Sequence, residues 1–237
     1  MKLLAFDTST ELISIAVTCE VDGEARVWEH TGAGGAQASS ALIPAIETLM
    51  TEADLRFEQL DAIVFGRGPG SFTGLRTACA VAQGLGFGAG VPLLPVDTLL
   101  AVAEEARLHQ APPTGTWRVL ALLDARMDEL YAAPYDHTDG RWHQGADFRL
   151  LKPEQVDAAG CDALAGNVFA EYGERLPGAA LLPRWQALPT AVAMLRLAPQ
   201  LLAQGNAVAA QDALPRYIRD KVALTTAERA AARATLS

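Results

Sequence analysis

Two short polar segments hold the residues of this chain that could do chemistry. One is a glycine-rich stretch, GRGPGSFTG, which runs from Gly66 to Gly74, and the other is Asp7-Thr8-Ser9; each follows a short apolar run. Glycines let a backbone turn sharply or approach another group closely, and amides at a helix start can bind a phosphate. The stretch therefore fits either a tight strand-to-helix turn or an anion cradle, with Ser71 or Thr73 capping the following helix.

The glycine-rich stretch matches neither of the common phosphate-binding motifs. A Walker A loop needs a lysine directly after its last glycine, and no lysine lies between Lys2 and Lys152. A dinucleotide fingerprint needs a different glycine spacing and an acidic residue beyond the helix. We call this stretch the glycine loop, and its candidate binding residues are Gly66, Gly68, Gly70, Ser71, Thr73 and Gly74.

Other catalytic constellations are not apparent. The four histidines are His30, His109, His137 and His143. No two of them lie four residues apart, the spacing by which two histidines on one helix could bind a catalytic zinc ion. Ser71 lies in PGSFT and not in the GxSxG motif of serine hydrolases. Three scattered cysteines form no CxxC pair, which speaks against a disulfide framework or a zinc knuckle. We therefore expect no metal site and no catalytic residue.

Composition indicates one large domain or two small lobes. The chain has 237 residues, and half of them are hydrophobic, which is enough for a sizeable core. A net charge of −9 argues against nucleic acid covering the whole surface, because phosphate contacts need clustered lysine and arginine. The first apolar run is too short for a signal peptide, and the apolar region 77–103 is broken by glycines and prolines. We expect a cytoplasmic protein with no membrane span.

Hydrophobic spacing predicts alternating strands and helices. The strands are predicted at Leu3–Asp7, Leu12–Val17, Ala25–Glu29, from Ala62, at Pro92–Val96, Val119–Asp124, Glu129–Tyr135 and Ala163–Gly166. The helices are predicted at about Ser39–Ala53, from the glycine loop to Phe87, from Asp97 or Thr98 to Arg107, and at Thr190–Gln204. Pro199 is expected to kink or break the last helix, and 31–36 is expected to be a loop.

The second half of the chain repeats the order of the first. Val119–Asp124 mirrors Leu3–Asp7, and Asp139-Gly140 mirrors Asp22-Gly23, each turn lying 15 residues after the aspartate that ends the strand. This internal repeat predicts two lobes on one plan, at 1–110 and 111–237, separated by a break at 112–115. The tail is expected to return to the first lobe.

Several longer motifs resemble one family. They are MKLLAFDTST (1–10), GRGPGSFTGLR (66–76), AQGL (82–85), PVDTL (95–99), LLDARM (122–127) and PRYIR (215–219). These motifs resemble the TsaB (YeaZ) family of bacterial partner proteins in the synthesis of threonylcarbamoyladenosine in tRNA. The likeness spans most of the chain; it is strongest over 1–130 and thin over 153–210.

The resemblance implies a two-lobed, duplicated α/β fold of the actin/sugar-kinase/Hsp70-like (ASKHA) superfamily, with mixed sheets flanked by helices. In that fold, strand-ending aspartates face a nucleotide cleft, where carboxylates can hold magnesium. We expect a degenerate nucleotide site of Asp7, Thr8, Ser9 and Asp124. Two alternatives stay open: Asp7 and Thr8 satisfy backbone groups in a bend, or Asp7 and Asp124 serve a working nucleotide-dependent phosphotransferase or ATPase.

The resemblance also implies a function through partners. The chain would be a non-catalytic subunit that binds a TsaD-like catalytic subunit, acts with a TsaE-like ATPase, forms a homodimer when alone and meets tRNA only indirectly. No cofactor would be tightly bound, and ATP or ADP with magnesium would bind weakly at the interface of the complex.

The interface is expected on two helices, although small and apolar side chains at helical spacing serve a packed core equally well. Its expected residues are Leu42, Ile43, Ile46, Leu49, Met50, Leu75, Cys79 and Ala82. On this interpretation, glutamate at Ile46 should weaken pairing and leave the monomer folded. Unfolding of the monomer would instead place Ile46 in the core.

Overall fold

The computed structural model describes residues 1–109, 115–177 and 181–219, which form two β-sheets with helices between and outside them. The first sheet has the strand order β3-β2-β1-β4-β5. Strands β1, β2 and β3 pair antiparallel, whereas β4 and β5 run parallel to β1. The strands are β1 (Leu3–Asp7), β2 (Leu12–Val21), β3 (Glu24–Ala33), β4 (Ala62–Gly68) and β5 (Leu93–Asp97).

The second sheet repeats this arrangement. Its order is β11-β10-β6-β7-β8, with β9 also paired to β7. As in the first sheet, a long antiparallel hairpin is followed by two parallel strands, so the predicted duplication is confirmed. The strands are β6 (Trp117–Arg126), β7 (Glu129–Thr138), β8 (Arg141–Gln144), β9 (Arg149–Leu151), β10 (Ala163–Gly166) and β11 (Arg184–Gln186).

In the described part of the chain, five α-helices accompany these strands: α1 (Ala38–Glu52), α2 (Phe72–Ala89), α3 (Thr98–Leu108), α4 (Phe169–Tyr172) and α5 (Ala191–Ala203). Pro199 was expected to kink or break this helix; α5 continues past it to Ala203, so it does not break the helix. Buried side chains before the proline, including Met194 and Ala198, and the half-buried Leu201 and Leu202 after it hold the helix against the core. None of the described helices is long and apolar enough to cross a membrane.

Two predicted boundaries shift because strand pairing extends further than local composition suggests. Residues 31–33, expected in a loop, continue β3, and Ala33 lies opposite Leu12. The beginning of the glycine loop, 66–68, belongs to β4. Of the predicted break at 112–115, residues 112–114 lie outside the described residues, as does the tail from 220 onward.

The largest hydrophobic core lies between the two sheets. It combines Val64 of β4 and Val119 of β6 with Val102 of α3 and Met194 of α5, all fully buried. Helices α3 and α5 pack against each other inside this layer. The two lobes are therefore joined at their base by one shared core, and a cleft remains on the other side.

Beyond α5, the chain returns to the first sheet. Val208 forms an antiparallel bridge with Leu93, and the side-chain amide of Gln83 donates a hydrogen bond to the carbonyl of Ala213 (2.9 Å). These contacts bring residues 213–219 to the cleft between the lobes.

Candidate functional site in the interlobe cleft

The segment Asp7-Thr8-Ser9 lies directly against the glycine loop. The two segments meet because β1 and β4 are parallel neighbours whose carboxyl ends lie at the same edge of the sheet. The Thr8 hydroxyl donates to the carbonyl of Gly74 (2.7 Å), and the amide of Ser71 donates to the carbonyl of Ser9 (2.7 Å). All three residues of the first segment are buried.

Two glycines of the loop are required by this close approach. A Cβ on Gly66 would lie 1.8 Å from Oδ2 of Asp7, and a Cβ on Gly74 would lie 1.8 Å from the backbone oxygen of Thr8. Both distances are far below contact distance, so neither position has room for a side chain. At these two positions the motif serves tight packing, which is the first of the two interpretations that the sequence allowed.

The rest of the glycine loop forms the start of α2. Ser71 occupies the N-cap position, and its hydroxyl accepts a long hydrogen bond from the amide of Gly74 (3.5 Å). Thr73 lies within the first turn of the helix and is exposed. Gly70 lies against Ser9, whose Cβ would be 2.6 Å from an added side chain.

Asp7 is a buried carboxylate with one unpaired oxygen. Its Oδ1 accepts hydrogen bonds from the amide (2.8 Å) and the hydroxyl (2.6 Å) of Ser9, whereas the buried Oδ2 has no partner among the residues that the structure describes. The side chain is only 1% exposed. Burial in this weakly polar site raises the pKa of Asp7 from 3.8 to about 6, against the opposing effect of the Ser9 hydrogen bonds.

The raised pKa of Asp7 predicts a pH-dependent stability. Because the folded chain retains this proton up to about pH 6 and the unfolded chain releases it near 3.8, stability falls as the pH rises through this window. About two pKa units correspond to about 3 kcal/mol. We expect the free energy of unfolding of Asp7→Asn, minus that of the unsubstituted chain, to grow by about 2 kcal/mol between pH 4 and pH 7, most of the full difference. Urea titrations across this range measure it, and a constant difference would contradict the prediction.

A cavity of about 330 Å³ opens between the lobes beside the glycine loop. The first lobe contributes Ser9, Gly70 and Ser71, the second contributes Arg126 and Tyr131, and the segment 216–219 forms a further wall.

Three of the four residues expected in a nucleotide site lie outside the lining of this cavity. Asp7 and Thr8 are committed to the contacts described above. Asp124 accepts hydrogen bonds from the amide of Arg126 (2.8 Å) and the hydroxyl of Tyr172 (3.2 Å). Only Ser9 faces the cavity, so the structure does not bring Asp7 and Asp124 together there.

The expected interface residues are mostly core residues. Seven of the eight are buried in the monomer, and Ile43 alone is exposed, at 43%. The buried ones pack against the first sheet or the glycine loop because α1 and α2 turn their apolar faces inward: Leu42, Ile46, Leu49, Met50, Leu75, Cys79 and Ala82. In the monomer these seven side chains face the core, while their expected role as contact residues is untested and stays a prediction.

Sequence reasoning missed the exposed apolar residues of α2. Phe72 at its start is 38% exposed, and Phe87 near its end is 83% exposed. Space is open around a Cβ at Gly84, which lies between them. A helical wheel that placed Ala78, Ala82 and Gly86 inside would have turned Phe87 outward.

In the described ranges, no group of three or more histidine, cysteine, aspartate or glutamate side chains is arranged to hold a metal ion. The class of this protein follows from three features of its fold. Its two sheets share one topology, two helices lie in the shared core between them, and a cleft lies beside the glycine loop. The chain is a duplicated, two-lobed α/β protein of the ASKHA class.

Comparison with known proteins gives the family. The model of the family described as TsaD, tRNA N6-adenosine threonylcarbamoyltransferase, matches residues 33–210. The tRNA threonylcarbamoyladenosine biosynthesis protein TsaB of Escherichia coli K12 is 35% identical, over 94% of this chain and 96% of that protein. TsaB of Haemophilus influenzae is 33% identical, over 94% and 95%.

A solved structure agrees with these relatives. YeaZ from Pseudomonas aeruginosa superimposes with a TM-score of 0.79 at 38% identity, covering 92% of this chain and 99% of that chain. The chain therefore belongs to the TsaB (YeaZ) family, which is named for threonylcarbamoyladenosine biosynthesis, and it carries the domain that the TsaD model describes.

Proposed function

We propose that this chain is a non-catalytic subunit of the complex that forms threonylcarbamoyladenosine in tRNA, where it binds and supports a TsaD-like threonylcarbamoyltransferase. The observation that carries the proposal is the full-length similarity to TsaB of Escherichia coli, at 35% identity over 94% of this chain. The complex acts in the cytoplasm with a TsaE-like ATPase, and this subunit meets tRNA only through its partners. Alone, the chain forms a homodimer.

The contacts of Asp7 and Thr8 favour a non-catalytic subunit rather than a phosphotransferase. A kinase of this fold would need carboxylates directed at magnesium and phosphate, because hard cations favour carboxylate oxygens. Here the Oδ1 of Asp7 is hydrogen-bonded to Ser9, its Oδ2 is sealed against Gly66, and the Thr8 hydroxyl is bonded to Gly74. ATP or ADP with magnesium belongs, in this proposal, at the interface with the partner.

The outer faces of α1 and α2 are the proposed contact surface. Ile43 and Phe87 are exposed apolar side chains, and the small residues Ala80 and Gly84 lie on the exposed side of α2. Exposed aromatic and aliphatic anchors are typical of interface centres. A glycine in mid-helix destabilises it by about 1 kcal/mol relative to alanine, but it lets another backbone approach closely.

Reconstitution tests this function. Purified TsaD-like and TsaE-like proteins would be incubated with tRNA, ATP and threonylcarbamoyl-adenylate, with and without this chain. We expect modified adenosine only when this chain is present, and none from this chain alone. Equal product without the chain would overturn the proposal, and tight binding of magnesium-ATP by the isolated chain would favour the phosphotransferase.

A surface substitution tests the contact face. We expect Ile43→Glu to weaken binding to the TsaD-like protein at least about tenfold, because it places a charge in a desolvated apolar contact. The matched control is Leu181→Glu, since Leu181 is equally apolar, 89% exposed and located in the second lobe. Titration calorimetry measures both affinities. Equal affinities for the two folded variants would move the interface away from α1.

A further inference from the structure

Residues 213–219, which we call the arm, cross the mouth of the interlobe cleft and contact both lobes. On the first lobe, the amide of Arg216 donates to the carbonyl of Arg67 (2.6 Å). The ring of Tyr217 packs on Phe72, with 5.3 Å between ring centroids, and its hydroxyl accepts from Nε of Arg76 (3.0 Å). These contacts dock the arm on β4 and α2.

Arg216 joins the lobes through its guanidinium group. Its Nη2 lies 2.7 Å from Oδ1 of Asp147 in the second lobe, and its Nη1 lies 3.8 Å from Oδ1 of Asp97 at the end of β5. The guanidinium also stacks over the ring of Phe148, 4.1 Å from the centroid. The planar guanidinium of Arg216 is held in a fixed orientation, because it meets one carboxylate from each lobe and the face of an aromatic ring.

Arg219 is bound by the hairpin between β6 and β7. Its Nη2 donates to the carbonyls of Ala125 (3.2 Å) and Arg126 (3.3 Å) and to Oε2 of Glu129 (2.6 Å). The hairpin contains three consecutive non-glycine residues with positive φ, from Arg126 to Asp128, at 62°, 59° and 60°. Such backbone is disfavoured for L-residues, and here it turns two carbonyls toward one guanidinium.

The cleft beneath the arm is acidic. Three carboxylates bind the arm's arginines directly: Asp97, Asp147 and Glu129. Two more, Glu11 and Asp124, lie near Arg126. With the arm removed, Asp147 and Glu129 would lose these arginine partners and Asp97 would keep Arg67, which disfavours phosphate and favours a guanidinium group at the cleft mouth.

The glycine loop also accommodates the arm. Gly68 has a φ of 116°, and an added Cβ would lie 2.6 Å from the carbonyl oxygen of Arg216. The arm backbone thus occupies the space that a side chain would need. Gly68 is thus explained by the arm, whereas Gly66 and Gly74 are explained by their close contacts with Asp7 and Thr8.

We propose that the interlobe cleft is a receptor for an extended, arginine-bearing peptide segment, filled in cis by the arm, and is not a nucleotide pocket. The recognition elements are the Asp97 and Asp147 carboxylates with the Phe148 ring for one arginine, and the hairpin carbonyls with Glu129 for the other. This proposal concerns the cleft alone, and it stands or falls independently of the partner role.

A peptide in trans tests the receptor. The full-length chain with Arg216→Ala and Arg219→Ala keeps the cleft but loses both guanidinium anchors of its own arm. The probe is a synthetic peptide with the sequence of residues 213–219, blocked at both ends and labelled for fluorescence anisotropy. We expect it to bind the double variant at least tenfold more tightly than the unsubstituted chain, because a tethered arm competes at an effective concentration near millimolar.

The controls separate arginine recognition from other binding. The same peptide with alanine at both arginine positions should bind at least tenfold more weakly. Added salt should weaken the binding of the parent peptide, because it screens the charge interactions. Absence of peptide binding by a folded double variant would overturn the proposal. Binding of magnesium-ATP by that variant, in preference to the peptide, would overturn it as well, because the cleft would then be a nucleotide site covered by the arm.

If the double variant does not fold, the single variant Arg219→Ala provides the test by hydrogen exchange. We expect amide exchange in the 126–129 hairpin to accelerate at least tenfold, while exchange in β1 and β4 stays unchanged. Replacement by lysine should restore part of the protection, since an ammonium group can still meet the carbonyls and Glu129. Unchanged exchange in the hairpin of the alanine variant would contradict the role given to Arg219.

Discussion

Glutamate in place of Ile46 should destabilise the isolated chain by more than about 4 kcal/mol, enough to unfold most of it at 37 °C. Ile46 is fully buried on the inner face of α1, in the core formed with β1, β2 and α2. The substitution leaves a cavity and an ionised carboxylate without a partner in apolar surroundings. Urea denaturation followed by circular dichroism measures the loss.

Ile43→Glu is the matched control for Ile46→Glu. Both positions lie on α1 and carry the same side chain, but Ile43 is 43% exposed, so its charge remains in water. We expect its free energy of unfolding to stay within about 0.5 kcal/mol of that of the unsubstituted chain. If the Ile46→Glu variant stays folded but no longer binds the partner, Ile46 belongs to the interface, and the burial described above is contradicted.

Alanine in place of Gly74 should destabilise the chain by about 3 kcal/mol, because the new methyl group would overlap a backbone atom. The added Cβ would lie 1.8 Å from the carbonyl oxygen of Thr8. Relief requires α2 to move away from the end of β1. This movement would also break the hydrogen bond from the Thr8 hydroxyl to the Gly74 carbonyl (2.7 Å). The midpoint of urea unfolding should fall accordingly.

Gly84→Ala in the same helix should have the opposite effect. Space is open around its Cβ position, and alanine stabilises a helix interior by about 1 kcal/mol relative to glycine. Measured side by side at low protein concentration, the two variants separate the close approach at Gly74 from the general effect of replacing a helical glycine. Equal stability changes in both would show that packing against Thr8 is not what limits position 74.

The polar groups around the cleft of this protein are bonded within the chain. Asp7 and Thr8 hold the junction between β1 and the glycine loop, and Asp124 is bonded within the second lobe. The arginines of the arm occupy the carboxylates at the cleft mouth. These contacts tie the two lobes to each other and to the arm, and a fixed relative position of the lobes would suit the subunit role that we propose.

Local sequence was sufficient for the order of the elements of the first lobe, whereas β8, β9, β11 and α4 of the second lobe were not predicted. The strand at Leu3–Asp7, the helix after the glycine loop and the strand at Ala163–Gly166 were predicted at or near their observed bounds, because periodicity and turn residues act over a few positions. The internal repeat likewise predicted two sheets of one plan. The motifs of the first 130 residues were long enough to indicate the family.

The tertiary structure alone decided which side of each helix faces the protein and what each glycine contacts. Leu42 and Ile43 are neighbours of similar hydrophobicity, and only the packing of α1 against the first sheet buries one and exposes the other. The approach of Thr8 to Gly74 and of Arg216 to Gly68 joins residues 66 and 148 positions apart. Such contacts depend on how strands and helices assemble in three dimensions, and short-range patterns carry no information about that distance.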